Sequence, residues 1–319
     1  MFHYDRGLWL SRAELAVDIP RRQKQGFISH AHADHAARHE LALCTPATAA
    51  LYQHRYGKRP VKGMPFREPL DWGGLRLTTF PAGHCLGSAM LLAEDDQRSL
   101  LYTGDFKLGE SLTAQRAEPP HADLLVMECT FGDPRYRLPP RGEVITQLLE
   151  IVHAAFDRGL PPVIQAYQLG KGQEVTKILT TAGVPVLQHP VMYQVSEVYQ
   201  QQGVDLGNVA PYGEHYIPGH AVVTVPPRQR ARRLPDLDSA VTIAVTGWAQ
   251  DDGAKYRLRV DHALPLSDHA DYDELLEVIE RVEPKEIHCT HGPVKFVDRL
   301  QDLGLNAFPL GRGHQMRLF

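Results

Sequence analysis

Ser29-His30-Ala31-His32-Ala33-Asp34-His35 sets three imidazoles and one carboxylate within six positions, with alanine as the spacer. Imidazole nitrogens and carboxylate oxygens together suit zinc, manganese or iron, and a neutral histidine is the commonest protein ligand for such ions. A lone histidine in a strand is usually a packed or solvated residue. Four ligand-type side chains at this spacing are not explained that way. The apolar run Gly26-Phe27-Ile28-Ser29 ahead of them reads as the end of a buried strand, on which His30 and His32 share a face and aim at one cation. If the chain then turns into a helix at Asp34, that carboxylate and His35 swing toward a second point nearby.

One such run cannot fill two coordination shells, so the remaining ligands must come from the ends of other strands. Pro81-Ala82-Gly83-His84-Cys85-Leu86-Gly87-Ser88 carries a histidine between glycines, after the alternating stretch Leu75 to Phe80. Leu100-Leu101-Tyr102-Thr103-Gly104-Asp105 ends an apolar strand in Gly-Asp, where the glycine permits close backbone approach. Alone, Asp105 would be a turn residue; behind the histidine run it reads as a bridging carboxylate. His291 closes Glu286-Ile287-His288-Cys289-Thr290-His291-Gly292, another short apolar run.

The elements that must position these residues fall into two groups. Residues 1–134 alternate short strands and turns (Leu75 to Phe80, Ala89 to Ala93, Leu100 to Thr103, Leu124 to Met127), with Glu94-Asp95-Asp96-Gln97 as a hairpin loop. Together with residues 266–319, which contribute a helix from Tyr272 to Val282 and the strand before His291, they make one core. Residues 135–265 read differently. Ile145, Leu148, Leu149, Val152 and Phe156 recur at helical spacing until Gly159 and Pro161 stop the helix. Pro162 to Tyr167 follows as a strand, then a helix from Lys171 to Ala182, the strand Val184 to Leu187, a further helix, and strands at Ala221 to Val225 and Val241 to Val245. Such alternation predicts a small parallel α/β domain inserted into the core.

Composition narrows the class. At 319 residues, 43% hydrophobic and 23% charged, the chain suits two globular domains rather than disorder. Charges at Asp5, Arg6, Arg12 and Glu14 interrupt any signal peptide, and no stretch is long enough to span a bilayer, so no membrane association is expected. Cys44, Cys85, Cys129 and Cys289 lack C-x-x-C spacing and read as small buried thiols in a reducing cytoplasm. A net charge of −4 does not advertise nucleic-acid binding. Basic residues do cluster at His54 to Lys62, at Arg228 to Arg233, and at Arg135, Arg137 and Arg141; each is a solvated face or a set of backbone contacts. Two divalent ions would add positive charge of their own.

The motifs resemble the metallo-β-lactamase superfamily and, within it, the β-CASP nucleases. His30-x-His32-x-Asp34-His35 matches that superfamily's ligand motif, and His84, Asp105 and His291 stand where its other ligands stand. Glu128, in Val126-Met127-Glu128-Cys129-Thr130, matches the branch's acidic motif, and His269, in Ser267-Asp268-His269-Ala270-Asp271, its later histidine motif. Tyr167 to Glu174 and Thr246-Gly247-Trp248 look like pieces of its inserted domain. Ser267 to Gly292 is most similar to bacterial ligase-associated DNA exonucleases, although Pro293 stands where relatives often carry a charge.

The resemblance implies an αββα sandwich with an inserted β-CASP α/β domain. It also implies two divalent ions, zinc or manganese: His30, His32, His84 and Asp105 around one, and Asp34, His35, His291 and the bridging Asp105 around the other. Such a pair activates water and offsets the charge of a phosphodiester. Asp34, Glu128 and His269 carry the catalysis, His269 protonating the leaving oxygen while Glu128 holds its tautomer; a helix-start cap is the other reading of His269. Asp18 is either an acceptor orienting a ligand histidine or a loop aspartate. Lys171, at a helix start, and Ser267 are candidate substrate contacts; a surface lysine is the alternative for the first.

The implied function is a DNA exonuclease in repair, partnered by a DNA ligase and a helicase. An RNA-processing nuclease of the same fold is the alternative. A small-molecule hydrolase shares the metal motif but needs neither the inserted domain nor His269. Separately, the terminal Gln315-Met316-Arg317-Leu318-Phe319 reads first as an edge strand tucking into the chain's own core, and second as a peptide in which Gln315, Leu318 and Phe319 dock on a sliding clamp.

Overall fold

In the computed structural model of the protein, residues 1–226, 234–251 and 253–311 are described. The basic run Arg228 to Arg233 and the tail residues Gln315, Leu318 and Phe319 lie outside them.

The short apolar runs of the first third form strands. β1 (Phe2–Tyr4), β2 (Leu8–Leu10), β3 (Leu15–Val17), β4 (Gln25–Phe27), β5 (Leu41–Cys44) and β6 (Val61–Gly63) make one sheet in chain order, with helix α1 (Pro46–Tyr56) before the last strand. β7 (Leu70–Trp72), β8 (Leu75–Pro81), β9 (Ala89–Glu94), β10 (Ser99–Tyr102) and β11 (Leu124–Glu128) follow. Then come α2 (Arg141–Asp157), β12 (Pro162–Gln165), α3 (Lys171–Thr181), β13 (Val186–Gln188), α4 (Pro190–Gln201), β14 (Val209–Pro211), β15 (Ala221–Thr224), β16 (Val241–Val245), α5 (Ala254–Leu258) and β17 (His262–Leu264). Finally α6 (Tyr272–Val282), β18 (Glu286–Thr290), α7 (Val294–Asp302) and β19 (Ala307–Pro309) rejoin the second sheet, whose order is β19-β18-β11-β10-β9-β8-β7.

The chain divides into two compact units. Met1–Glu110, Ala114–Pro134 and His269–Phe319 form the first; Ser111–Thr113 and Arg135–Asp268 form the second. In the first, strand periodicity decides the layers. Leu100 and Tyr102 of β10, Leu124 and Val126 of β11, and Ala89, Leu91 and Ala93 of β9 face the other sheet, meeting Leu8, Leu10, Leu15, Val17, Phe27 and Leu43. The alternate residues Leu101, Leu125, Met127, Met90 and Leu92 face Tyr272, Leu275, Val278, Ile279 and Phe296 of the helices α6 and α7. On the far side, Ile28, Ala42 and Cys44 pack on Tyr52 of α1. Helix, sheet, sheet, helix is an αββα sandwich. Truncating one of these buried leucines to alanine costs about 2–5 kcal/mol.

The second unit holds a sheet in the order β14-β13-β15-β12-β16-β17, parallel at each described pairing. Val144, Leu148 and Val152 of α2 and Val175, Ile178 and Leu179 of α3 bury against Ile164, Val223 and Ile243. Glu174 also ties in the outlying loop: it accepts from Ser111 Oγ at 2.8 Å, Leu112 N at 3.0 Å and Thr113 Oγ at 2.7 Å, and pairs with Arg141.

Two local expectations change. His30 and His32 lie beyond β4 in a loop rather than on the strand, and no helix begins at Asp34. The chain instead makes one turn, closed by His35 N donating to His32 O at 3.3 Å. The four cysteines are buried thiols, none of them in a disulfide. No helix among the described residues is long and apolar enough to cross a membrane.

Candidate metal centre

Parallel pairing carries three of the site residues to the same strand ends. β10 runs beside β11 with Tyr102 opposite Val126, and β11 beside β18 with Glu128 opposite Thr290. Asp105 and His291 therefore emerge just past the carboxyl ends of β10 and β18, next to Glu128 at the end of β11. Open α/β sheets place ligands at such ends. Gly104, at φ +55, lets the chain pass Ser29: a Cβ there would lie 2.7 Å from the serine side chain. Gly83, at φ +78, is equally committed, since its Cβ would meet Lys107 O at 2.1 Å. His84 follows it in a loop wound around Ser88, whose Oγ accepts from His84 N at 3.2 Å and Cys85 N at 3.1 Å. The histidine run is docked on this sheet by Ala89 N donating to Ser29 O at 2.9 Å.

The convergence is tight. One ligand atom each from His30, His32, His84 and Asp105 lie within 4.8 Å of one another, as do one each from His35, Asp105 and His291. His32 Nδ1 is 3.0 Å from His30 Nε2 and 3.2 Å from His84 Nε2. Asp105 Oδ2 is 3.4 Å from His35 Nε2 and 3.5 Å from His30 Nε2, so one oxygen belongs to both groups. Asp34 is the outlier: its Oδ2 is 3.9 Å from His35 Nε2 and its side chain is 81% exposed.

Electrostatics follow from this crowding. Burial, joined by the neighbouring imidazoles of His35, His32 and His84, holds His30 well below the usual histidine range. Burial would lower His35 too, but Asp105 and Asp18 on either side override it and push it up to about 10. For Asp105, burial would raise the carboxyl; the charges of His35, His269, His84 and His32 overcome it and hold it low.

Beneath these groups lie two buried carboxylates. Asp18 Oδ2 accepts from His35 Nδ1 at 2.9 Å and Tyr102 OH at 2.9 Å, and its Oδ1 from Ser29 N at 2.7 Å. That leaves His35 Nε2 turned toward Asp105. Glu128, 1% exposed, accepts from His269 Nδ1 at 2.9 Å and Phe106 N at 3.1 Å through Oε1, and from Thr130 Oγ at 2.5 Å through Oε2. Ala270 N bonds Phe106 O at 2.6 Å, and Asp271 caps α6 immediately after, which fixes the backbone on one side of His269. His269 Nε2 ends 4.0 Å from Asp105 Oδ2.

The remaining candidates differ from expectation. Lys171 is not at a surface: it is 1% exposed and its Nζ lies 3.1 Å from Asp268 Oδ1. Its ammonium is already neutralised in a dry setting, so it is a poor phosphate contact. Ser267 is also buried, at 5%. Conversely, Ser29, Tyr102 and Thr130 were missed as partners of the two carboxylates. For Tyr102 the signal was available, because strand alternation turns it inward with Leu100.

This donor set fits a divalent metal ion. Four tetrahedral donors with Zn–N bonds of ~2.0–2.1 Å lie roughly 3.4 Å apart. The spacings of His32 and Asp105 to their neighbours, 3.0–3.9 Å, lie around that value. The Nδ1 contacts of His30 to Ser29 and of His35 to Asp18 are the outer support such ligands use.

Comparison with known proteins agrees. A family model described as "Zn-dependent metallo-hydrolase RNA specificity domain" matches residues 253–308. A protein of Opitutus terrae named "Probable DNA ligase" is 38% identical over 99% of this chain, which covers 31% of that protein. "5' exonuclease Apollo" of Gallus gallus is 27% identical over 85% of this chain and 60% of its own length. The chain therefore spans under two thirds of either relative. A crystal structure of a protein of unknown function from Enterococcus faecalis superposes with a TM-score of 0.60 at 15% identity, over 84% of this chain and 75% of that one. With the αββα sandwich and the histidine–aspartate convergence, these matches show a metallo-β-lactamase fold and a chain similar in sequence to the β-CASP nucleases.

Proposed function

We propose that the chain is a metal-dependent phosphodiesterase acting on DNA, an exonuclease of repair. The observation that carries this reading is the convergence of six donors, His30, His32, His35, His84, Asp105 and His291, with His269 held by Glu128 and its Nε2 4.0 Å from Asp105 Oδ2. In this reading His30, His32, His84 and Asp105 hold one divalent ion, and Asp34, His35 and His291 with Asp105 a second. Zinc is favoured by the matched family's description, and manganese suits the same donors. When bound, two such ions supply an activated water and offset negative charge on the phosphate.

The chain's own residues do the rest. Asp18 keeps the His35 proton on Nδ1, so that Nε2 presents a lone pair. Glu128 accepts from His269 Nδ1 and stabilises that ring as imidazolium, the form that carries a second proton, on Nε2, for the leaving oxygen. Because His269 is 24% exposed, it exchanges that proton with solvent between turnovers. Asp34, exposed beside His35, is the residue to close over the second ion.

DNA is favoured by the name of the Opitutus relative, which also suggests a DNA ligase as partner, and an exonuclease by that of the Gallus relative. RNA is the second reading, because the family matched at residues 253–308 carries RNA specificity in its description. The test is cleavage of matched DNA and RNA strands, each blocked at one end, by metal-stripped protein restored with zinc or manganese. Metal-restored cleavage of DNA from one free end, abolished in Asp105→Ala, is expected. RNA cleaved faster than DNA would select the second reading, and no cleavage with either ion would end both.

A further inference from the structure

We propose that Tyr136, Trp248 and Tyr256, with Arg135, Lys255 and Arg257, form a stacking platform for unpaired nucleotides; this rests on the nuclease reading and names the form of strand it takes. All six belong to the second unit. Tyr136 and Trp248 meet edge to face, centroids 5.4 Å apart at 87°. Such pairs ordinarily close a core. Here Trp248 is 44% exposed and Tyr256 75% exposed. Cations accompany the tyrosine rings: Arg135 Cζ sits 4.9 Å from the Tyr136 centroid, and Lys255 Nζ 5.1 Å from that of Tyr256.

The surface is also held in shape. Arg257 Nη2 donates to Trp248 O at 3.2 Å, and Thr246 Oγ accepts from Trp248 N at 3.4 Å, which fixes the 3-10 turn Gly247–Ala249. Gln250 Nε2 donates to Arg137 O at 2.9 Å, tying that turn to the segment carrying Arg135 and Tyr136. Asp251 pairs with Arg257 at 2.9 Å, while Arg135 and Lys255 stand over the tyrosine rings.

Single exposed aromatics are ordinary. Three rings, two of them with a cation, on a braced surface have the makeup of a single-strand binder, in which bases stack on rings while basic side chains track the backbone. A duplex hides its bases, so the occupant is an unpaired strand.

The test measures binding of the full-length chain in chelator, with no turnover, to a short oligothymidylate and to an abasic oligomer of equal length and charge. Trp248→Ala and Tyr256→Ala should each weaken the thymidine oligomer about tenfold, the order that losing one stacked base supports, and leave the abasic oligomer unchanged. Trp248→Phe should recover most of the loss. Unchanged affinity in both alanine variants, or equal loss on both oligomers, overturns the platform. Failure of the nuclease reading would register separately, as wild-type protein that cleaves no strand when metal is restored.

Discussion

The two sheets of the sandwich solve the same problem with the same bond, on either side of Asp105, and reach different results. At the end of the first sheet, Asp18 holds His35 through Nδ1 at 2.9 Å; at the end of the second, Glu128 holds His269 through Nδ1 at 2.9 Å. Both carboxylates are buried and both accept further donors. The difference lies in where the free nitrogen goes. His35, 3% exposed, puts Nε2 3.4 Å from Asp105 inside the donor set, whereas His269, 24% exposed, stops at 4.0 Å with access to solvent. In the proposed function the buried imidazole close to the shared carboxylate ligates, and the half-open one set back from it exchanges a proton. Exposure, 3% against 24%, separates these two histidines more than the supporting bond or the distance, since His84 Nε2 is itself 3.9 Å from Asp105 Oδ2.

Variants on either side test that division. His269→Ala should have the largest effect, lowering the turnover rate by about 10²- to 10⁴-fold, the range of general acid–base catalysis, while metal content stays at the wild-type level. A variant with full activity would remove His269 from the chemistry. Asp18→Asn should do the reverse: metal affinity measured by chelator competition falls roughly 10- to 100-fold, and activity recovers when metal is added in excess. Tyr102→Phe removes one of the donors to Asp18 and should cost about 1 kcal/mol in denaturant unfolding, with little change in rate at saturating metal.

The smallest effect belongs to a carboxylate outside this network. Asp123 is held down to about 2 by its hydrogen bond to Lys285, then by those from Ser99. Its folded value lies below the ordinary carboxylate value, so its contribution is present above about pH 4 and fades as pH falls toward 2. Asp123→Asn should therefore lower the Tm slightly at neutral pH, leave it unchanged near pH 2, and so flatten the fall of Tm with acid; a wild-type dependence of Tm on pH would show that the bond carries no net stability.

Much of this was legible in the chain. The run from His30 to His35 declares itself because four ligand types cannot share six positions by accident of packing, and strand alternation through β9, β10 and β11 marks two buried faces. The α6 boundaries are written in Asp271 and Glu274, which cap each other's backbone. What stayed hidden was tertiary. His30 and His32 looked like strand neighbours, yet they converge from a loop that Asp18 gathers through Ser29. Lys171 resembled a phosphate contact because helix starts attract anions, but burial gave it Asp268 instead. No local pattern foretells which distant carboxylate a side chain will find.

The most direct measurement is the metal content, by elemental analysis, of purified His269→Ala beside the wild type, with turnover measured on the same samples. The account predicts equal metal in the two proteins and a rate lower by orders of magnitude in the variant. Metal lost in proportion to rate would make His269 a ligand like His35 and contradict the division of roles.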